Sequence, residues 1–213
     1  LAELDYECLQ GSLEREVAGV VFDSRKVVKD ALFVCMTGAV VDGHKFARDA
    51  YVHGASVLVV ERAVDVPLDV TVIKVKNSRY ALALISAAWF NNPSDHLTTI
   101  GITGTKGKTT TTYMVRSILE NAGYNEVIPS ENTTPESYLV QQYFKKMVDA
   151  GCNCVVMEVS SQALKLDRVA GFVFDYGIFT NIEPDHIGPG EHKDFAEYLM
   201  CKSRLLSQCK VGI

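Results

Sequence analysis

The stretch from Thr98 to Tyr113, TTIGITGTKGKTTTTY, constrains the chain more than any other. Ile100 and Ile102 form an apolar, β-branched entry, and Gly101, Gly104 and Gly107 a Gly-rich turn. Val115, Ile118 and Leu119 then recur on one face of a helix. The order is strand, phosphate loop, helix. Glycines let backbone N–H groups converge on an anion, and the helix N-terminus adds its dipole and unpaired donors. Lys108 is placed to reach a nucleotide's outer phosphates, and the hydroxyl of Thr109 to ligate Mg²⁺. The spacing is not the strict phosphate-loop pattern, because Ile102 occupies the position of the first glycine. The bland alternative is a Gly-rich strand-to-helix turn with a solvated lysine, which leaves the run Thr109 to Thr112 without a role beyond capping.

At 213 residues the chain has room for one or two domains with a sizeable core, and 47% hydrophobic with 22% charged residues is the balance of a globular protein. A net charge of −5 argues against broad nucleic-acid binding but leaves room for a local phosphate pocket, which needs only one or two cations. No apolar run reaches the length of a membrane span, and LAELDYECLQ is acidic without a signal-peptide core, so a cytoplasmic protein with no membrane contact is expected; a monomer is expected separately. The six cysteines show no paired metal spacing and read as reduced thiols.

Residues 1–93 read as a small α/β domain. GVVFDSR is a strand running into an Asp-Ser turn, followed by the strand ALFVC, the turn TGAVVDGH and a helix near Lys45 to His53. SVLVV and TVIKV are further strands, and Ser78 looks like the N-cap of a helix through Phe90, stopped at Asn91-Asn92-Pro93. Residues 94–213 alternate: strand Thr98 to Thr103, helix Lys108 to Ala122, helix Thr134 to Asp149, strand Cys154 to Ser160, a short helix in SQALKLDRV, strand Phe172 to Asn181 and helix Lys193 to Gln208. Val211 to Ile213 begin another strand. The fold class is α/β, with a truncated, mostly parallel sheet covered by helices on both faces and ligands at the carboxyl ends of its strands.

Three further features follow strand ends. Glu158 sits in the apolar run MEVSS, where an ionised carboxylate needs a cation or donors; a magnesium ion shared with Thr109 meets that need, and a solvated glutamate at the strand exit is the alternative. Asp185 and His186 fall in a loop after the next strand, and Lys202 lies in an amphipathic helix where it would otherwise be a solvated lysine.

Taken together, GTKGKTT, MEVSSQAL…DRV, FTNIEPDH and a lysine in the helix beyond resemble the ATP-dependent Mur ligases. With DSRKV…LFVC…DGHKF and ENTTPES, the resemblance is to the MurE type and runs from about Gly19 to Leu206. It implies that Gly104, Thr105, Lys106, Gly107, Lys108, Thr109 and Thr110 cradle ATP phosphates, and that Thr109 and Glu158 hold one Mg²⁺. His186 and a carbamylated Lys202 would hold or organise a second, with Lys108, His186 and Lys202 as the catalytic set. Ser24 and the backbone of Ala39, Val40 and Val41 match a uridine-diphosphate pocket in the first domain. Asn132, Thr133, Thr134, Ser160 and Arg168 match positions that grip the UDP-MurNAc-peptide.

The implied chemistry is acyl activation. The terminal carboxylate of UDP-MurNAc-L-Ala-D-Glu attacks the γ-phosphate of ATP, releasing ADP and forming an acyl phosphate, from which the amine of an incoming amino acid, lysine or meso-diaminopimelate, displaces phosphate. Folylpolyglutamate synthase shares the phosphate loop but should lack the DSR and TTP segments. A regulatory phosphate-loop module, the reading from another class, would bind nucleotide without UDP-sugar. Lys106 stands where the family often has Asn, IGPGEH replaces the usual LDYHG after His186, and the connection from Tyr124 to Ile128 is shorter than the family pattern. The family's remaining central and C-terminal regions have no counterpart in these residues, so this portion alone is expected not to turn over.

Overall fold

The computed structural model describes residues 4–38, 41–123 and 133–213, and divides into two compact units, Leu1–Ile85 and Ser86–Ile213. Ala39, Val40, Asn132 and the short connection from Tyr124 lie outside the described residues.

The first unit is built on a five-stranded sheet in the order β1-β5-β4-β3-β2, from β1 (Tyr6–Gln10), β2 (Gly19–Val21), β3 (Ala31–Val34), β4 (Ala55–Val60) and β5 (Thr71–Val75). Strands β2 to β5 are parallel, and β1 runs antiparallel on the edge of β5. Every residue of β3 and β4 is buried, as expected of central parallel strands covered on both faces. On one face Phe33, Leu58, Val60 and Val72 pack with Ala47 and Ala50 of helix α1 (Ala47–Val52).

Two details depart from the sequence reading. Strand β1 was not expected: its side chains are almost all exposed, so YECLQ carries no buried alternation, and it is held by pairing to β5 and by Gln10 Nε2, which donates to the carbonyls of Pro67 (2.8 Å) and Val70 (2.9 Å). Helix α2 (Ser78–Trp89) is capped by Asn77, whose Oδ1 accepts from the amides of Arg79 and Tyr80, both at 3.0 Å. Ser78 instead gives its amide (2.9 Å) and hydroxyl (2.8 Å) to the Glu61 carboxylate.

The second unit holds a four-stranded, wholly parallel sheet in the order β7-β6-β8-β9, from β6 (Thr98–Thr103), β7 (Cys154–Glu158), β8 (Phe174–Phe179) and β9 (Cys209–Gly212). Cys154 and Val156 of β7 join Ile100 and Ile102 of β6 under Val115 and Leu119 of helix α3 (Lys108–Asn121). The alternate residues, Val155 and Met157, face the other way against Val140, Phe144 and Met147 of helix α4 (Ser137–Asp149). Leu205 of helix α6 (Phe195–Ser207) packs with Phe174 and with Leu164 of the short helix α5 (Ser161–Lys165).

Gly101, read above as part of the turn, lies inside β6 opposite Met157 and Gly177. A Cβ there would sit 3.0 Å from both Leu205 and Phe174, so this glycine admits α6 to the sheet. Helix α4 starts at Ser137, three residues after Thr134, because the Thr134 hydroxyl is tied to the end of β7. Helix α6 starts at Phe195 behind a cap in which Asp194 Oδ1 accepts from the Glu197 amide (2.8 Å) and Glu197 Oε2 from the Lys193 amide (2.7 Å). All six cysteines are free thiols, and among the described residues no helix is long and apolar enough to cross a membrane.

Candidate active site

Because β6, β7 and β8 are parallel, the segments leaving Thr103, Glu158 and Phe179 emerge at one rim of the sheet. Residues 104–107 leave β6 there, and Gly107 caps α3 without any side-chain hydrogen bond to the helix. Among the described residues the first-turn amides of α3 therefore lack a side-chain cap, which is the arrangement that attracts an anion.

The segment after β8 holds this loop in shape. The amide of Thr105 donates to the carbonyl of Asn181 (3.0 Å), and that of Lys106 to Asn181 Oδ1 (3.0 Å). The Lys106 carbonyl accepts from Thr180 Oγ1 and Asn181 Nδ2, both at 3.0 Å. Lys106 Nζ, at the exposed tip, pairs with Glu183 Oε2 at 2.6 Å. The FTNIEPDH stretch is thus the scaffold of the Gly-rich loop as well as the carrier of His186.

Two lysines converge on the loop. Lys108 Nζ donates to the carbonyls of Gly104 (2.9 Å) and Thr105 (3.2 Å), while Lys202 Nζ, fully buried, donates to the same Gly104 oxygen at 2.6 Å. Burial first, and then the neighbouring Lys108, push the Lys202 pKa down to about 8, with Asp185 opposing. Beside them the Thr109 hydroxyl donates to Glu158 Oε1 at 2.7 Å.

Sequence reasoning missed Tyr198. Its buried hydroxyl lies 3.0 Å from Thr105 Oγ1, and its ring lies 4.8 Å from Lys202 Nζ and 6.0 Å from the His186 ring centroid. The signal was available in its position one helical turn before Lys202. Tyr198 joins the phosphate loop, the buried lysine and the histidine loop.

His186 itself is half exposed with a positive φ of 53°; its Nδ1 lies 3.0 Å from Glu191 Oε1, and its Nε2 3.8 Å from Asp185 Oδ2. Among the described residues no three His, Cys, Asp or Glu side chains form a ready-made metal cage. Thr109 and Glu158 are in contact, whereas His186 and Lys202 each adjoin the Tyr198 ring.

A second cluster lies where β7 ends. Thr134 Oγ1 donates to the Glu158 carbonyl (3.0 Å) and accepts from the Ser160 amide (3.0 Å), and Ser160 Oγ caps α5 through the Ala163 amide (3.1 Å). Arg168 Nη1 donates to the Thr134 carbonyl (3.1 Å), and its Nε stands 2.7 Å from Glu136 Oε1. Thr134, Ser160 and Arg168 are therefore one group, with exposed Thr133 adjoining it in sequence.

Ser24 and Val41 belong to the other unit, in the segments after the parallel strands β2 and β3. Asp23 fixes the turn that carries Ser24 by accepting from the Arg25 amide (3.1 Å) and both ends of its guanidinium, which holds the Asp23 carboxyl at a pKa of about 2. Exposed Val41 accepts an amide hydrogen bond from Gly38 at 3.0 Å.

Comparisons with known proteins bear on the family of the chain. A model described as the Mur ligase middle domain matches residues 102–213, and one described as the Mur ligase family, catalytic domain, matches residues 16–90. Relatives named UDP-N-acetylmuramoyl-L-alanyl-D-glutamate--2,6-diaminopimelate ligase are similar over the whole chain. That of Clostridium perfringens is 45% identical over 226 residues, and that of Clostridium botulinum 44% over 229. These alignments take in 100% of this chain but 46% and 47% of the relatives, so the chain spans about half their length. A solved structure carrying the same enzyme name superposes with a TM-score of 0.81 at 22% identity, over 95% of this chain and 44% of that one. With a middle-domain match over more than half of its residues, and a phosphate loop, acidic strand end and buried helix lysine gathered at one sheet rim, the chain belongs to the Mur ligase family.

Proposed function

We propose that this chain supplies the UDP-sugar-binding and ATP-binding parts of a ligase that adds an amino acid, lysine or meso-diaminopimelate, to UDP-MurNAc-L-Ala-D-Glu through an acyl phosphate. The observation that supports it most is the meeting of Lys108 and Lys202 on the Gly104 carbonyl beside the Thr109–Glu158 pair. With Lys202 unmodified, two cations with only a carbonyl oxygen between them favour an incoming polyanion; a carbamate on Lys202 would leave Lys108 as the cation and face a metal ion instead. The diaminopimelate ligases among the relatives favour that amino acid.

A hydroxyl and a carboxylate in contact are hard oxygen donors that fit Mg²⁺, so Thr109 and Glu158 would hold it. Bound there, the ion supplies charge neutralisation at the phosphates. Lys108 leaves its two loop carbonyls to meet the transferred phosphoryl group, and the α3 N-terminus orients the phosphates. Lys202, with its depressed pKa, offers enough neutral amine near pH 8 to add carbon dioxide, giving a carbamate and a released proton. Ser160, Arg168, Thr133 and Thr134, with Asn132, would receive the peptide end of the substrate, and Ser24 with residues 39–41 the uridine diphosphate. Carboxylate attack on the γ-phosphate and amine attack on the acyl phosphate then follow in sequence.

Calorimetric titration of the chain with Mg·ATP and separately with UDP-MurNAc-dipeptide tests the reading. Binding of both is expected, with Lys108→Ala abolishing the first alone. Nucleotide binding without any affinity for the UDP-sugar would favour a regulatory phosphate-loop module instead.

A further inference from the structure

His192 is the single buried residue between Asn181 and Glu197 among the described residues, and its ring is completely inaccessible. A polar ring buried in an otherwise exposed stretch needs a reason. Its Nε2 lies 2.9 Å from Ser161 Oγ, at the start of α5 and three residues beyond Glu158. Among the described residues its Nδ1 has no hydrogen-bond partner, and it lies 3.8 Å from Glu197 Oε2. The tautomer that fits places the proton on Nδ1, facing the carboxylate, and lets the Ser161 hydroxyl donate to Nε2. Burial, then Lys165, hold the pKa below the ordinary histidine value, which keeps the ring neutral.

The backbone of the same residue closes the histidine loop. The His192 amide donates to the His186 carbonyl (3.1 Å), and its carbonyl accepts from Gly188 (3.0 Å). Its ring packs 5.2 Å from that of Tyr198. Glu197 in turn receives the Lys193 amide and pairs with Lys165 at 3.2 Å, and Lys165 Nζ also donates to the Glu191 carbonyl (3.0 Å). One imidazole therefore meets the β7 exit, the loop bearing His186 and the helix bearing Tyr198 and Lys202.

We propose that His192 is a positioning residue whose bond to Ser161 sets the 185–191 loop, and with it His186, against the phosphate loop. An apolar aromatic of similar size would fill the volume but lose the bond, and a residue needed only for packing would tolerate that exchange. The placement of the loop stands on the geometry above; its consequence for metal-nucleotide binding rests on the reading under Proposed function.

The test compares His192→Phe, Ser161→Ala and the double variant with Met147→Ala, a core change on α4 away from the loop. Amide hydrogen exchange at Gly188 and His192 and the Tyr198–His186 ring contact by nuclear Overhauser effects are measured without ligand; Mn²⁺·ATP affinity is measured separately by electron paramagnetic resonance. His192→Phe and Ser161→Ala are each expected to speed exchange at these amides and to weaken Mn²⁺·ATP about tenfold, the scale of a lost outer-shell partner, with the double variant no worse than either. Met147→Ala should lower thermal stability and leave the loop amides and ring contact unchanged. Wild-type exchange and ring contact in His192→Phe would overturn the proposal, as would additive losses in the double variant or the same loop changes in Met147→Ala. A wild-type chain with no affinity for Mn²⁺·ATP would instead overturn the ligase reading, while the exchange and ring-contact measurements still judge the positioning role.

Discussion

Lys202 donates to the carbonyl oxygen of Gly104 at 2.6 Å, joining residues 98 apart in sequence through a fully buried ammonium group. That oxygen also accepts from Lys108, so the loop that would bind phosphate is already braced by two cations. A buried lysine with one carbonyl and one aromatic face for company is a stability liability, retained where charge is needed.

Replacing Lys202 should therefore stabilise the fold while removing function. Burial lowers its folded pKa to about 8, against 10.5 in the ordinary state, a gap on the order of 3 kcal/mol against the charged form. Between those two values the unfolded chain binds more protons than the folded one, so this group's contribution to stability rises with pH across the window. Below pH 8 the penalty is fully present. Lys202→Met is expected to exceed wild type by about 2 kcal/mol at pH 7 in urea unfolding, with the difference shrinking from pH 8 to 10.5. A difference that does not change with pH would show that desolvation of the amine is not its cause.

Thr109→Val keeps the volume of the side chain and removes the hydroxyl that touches Glu158. If that oxygen pair is the magnesium seat, ATP affinity in EDTA should be unchanged, and the gain on adding Mg²⁺ should fall about tenfold. Calorimetry in the two buffers separates this from general damage to the loop, which would lower both affinities.

The order of strands and helices from Thr98 onward was legible because each element carries its own period and Gly104 and Gly107 punctuate the turn. The meeting of Lys108 and Glu158 at one rim followed from parallel strands, whereas Lys202 was drawn to it only by the family resemblance. Other features had no local signal. Strand β1 is stabilised by its partner and not by buried side chains, so its residues look like a polar tail. Thr134 resembles a helix-start residue, yet its hydroxyl is spent on the β7 exit, a contact 24 residues away that no window reveals. The burial of His192 was hidden for the same reason, because burial of a polar ring inside an exposed stretch depends on tertiary partners.

In the first unit, buried His44 links the loop after β3 to the end of β4. Its Nδ1 lies 2.7 Å from Asp42 Oδ1, and its Nε2 accepts from the Glu61 amide at 2.9 Å. Asp42 is also paired with Arg62, and its carboxyl is held well below the usual range by that guanidinium first and by His44 second. His44→Ala leaves the Glu61 amide without its acceptor and opens a cavity, so a loss of about 3 kcal/mol is expected. Chemical unfolding measures it. The same variant should weaken UDP-sugar binding through the loop that carries Val41 while leaving Mg·ATP affinity intact.

Gly104 offers the sharpest test of the loop's shape. Its φ of 152° is one that side chains rarely adopt, and a Cβ there would lie 2.0 Å from Thr180 Oγ1. Thr180 cannot simply turn away, because its hydroxyl donates to the carbonyls of Thr103 (3.2 Å) and Lys106 (3.0 Å). Gly104→Ala should therefore move the carbonyl on which Lys108 and Lys202 meet, with a stability cost of about 3 kcal/mol and at least a tenfold loss of ATP affinity. Adding Thr180→Ala removes the clash but not the backbone strain. The double variant should thus recover part of the stability and little of the affinity. Full recovery of nucleotide binding by Thr180→Ala would mean that the loop needs space at Gly104 and not its backbone angle.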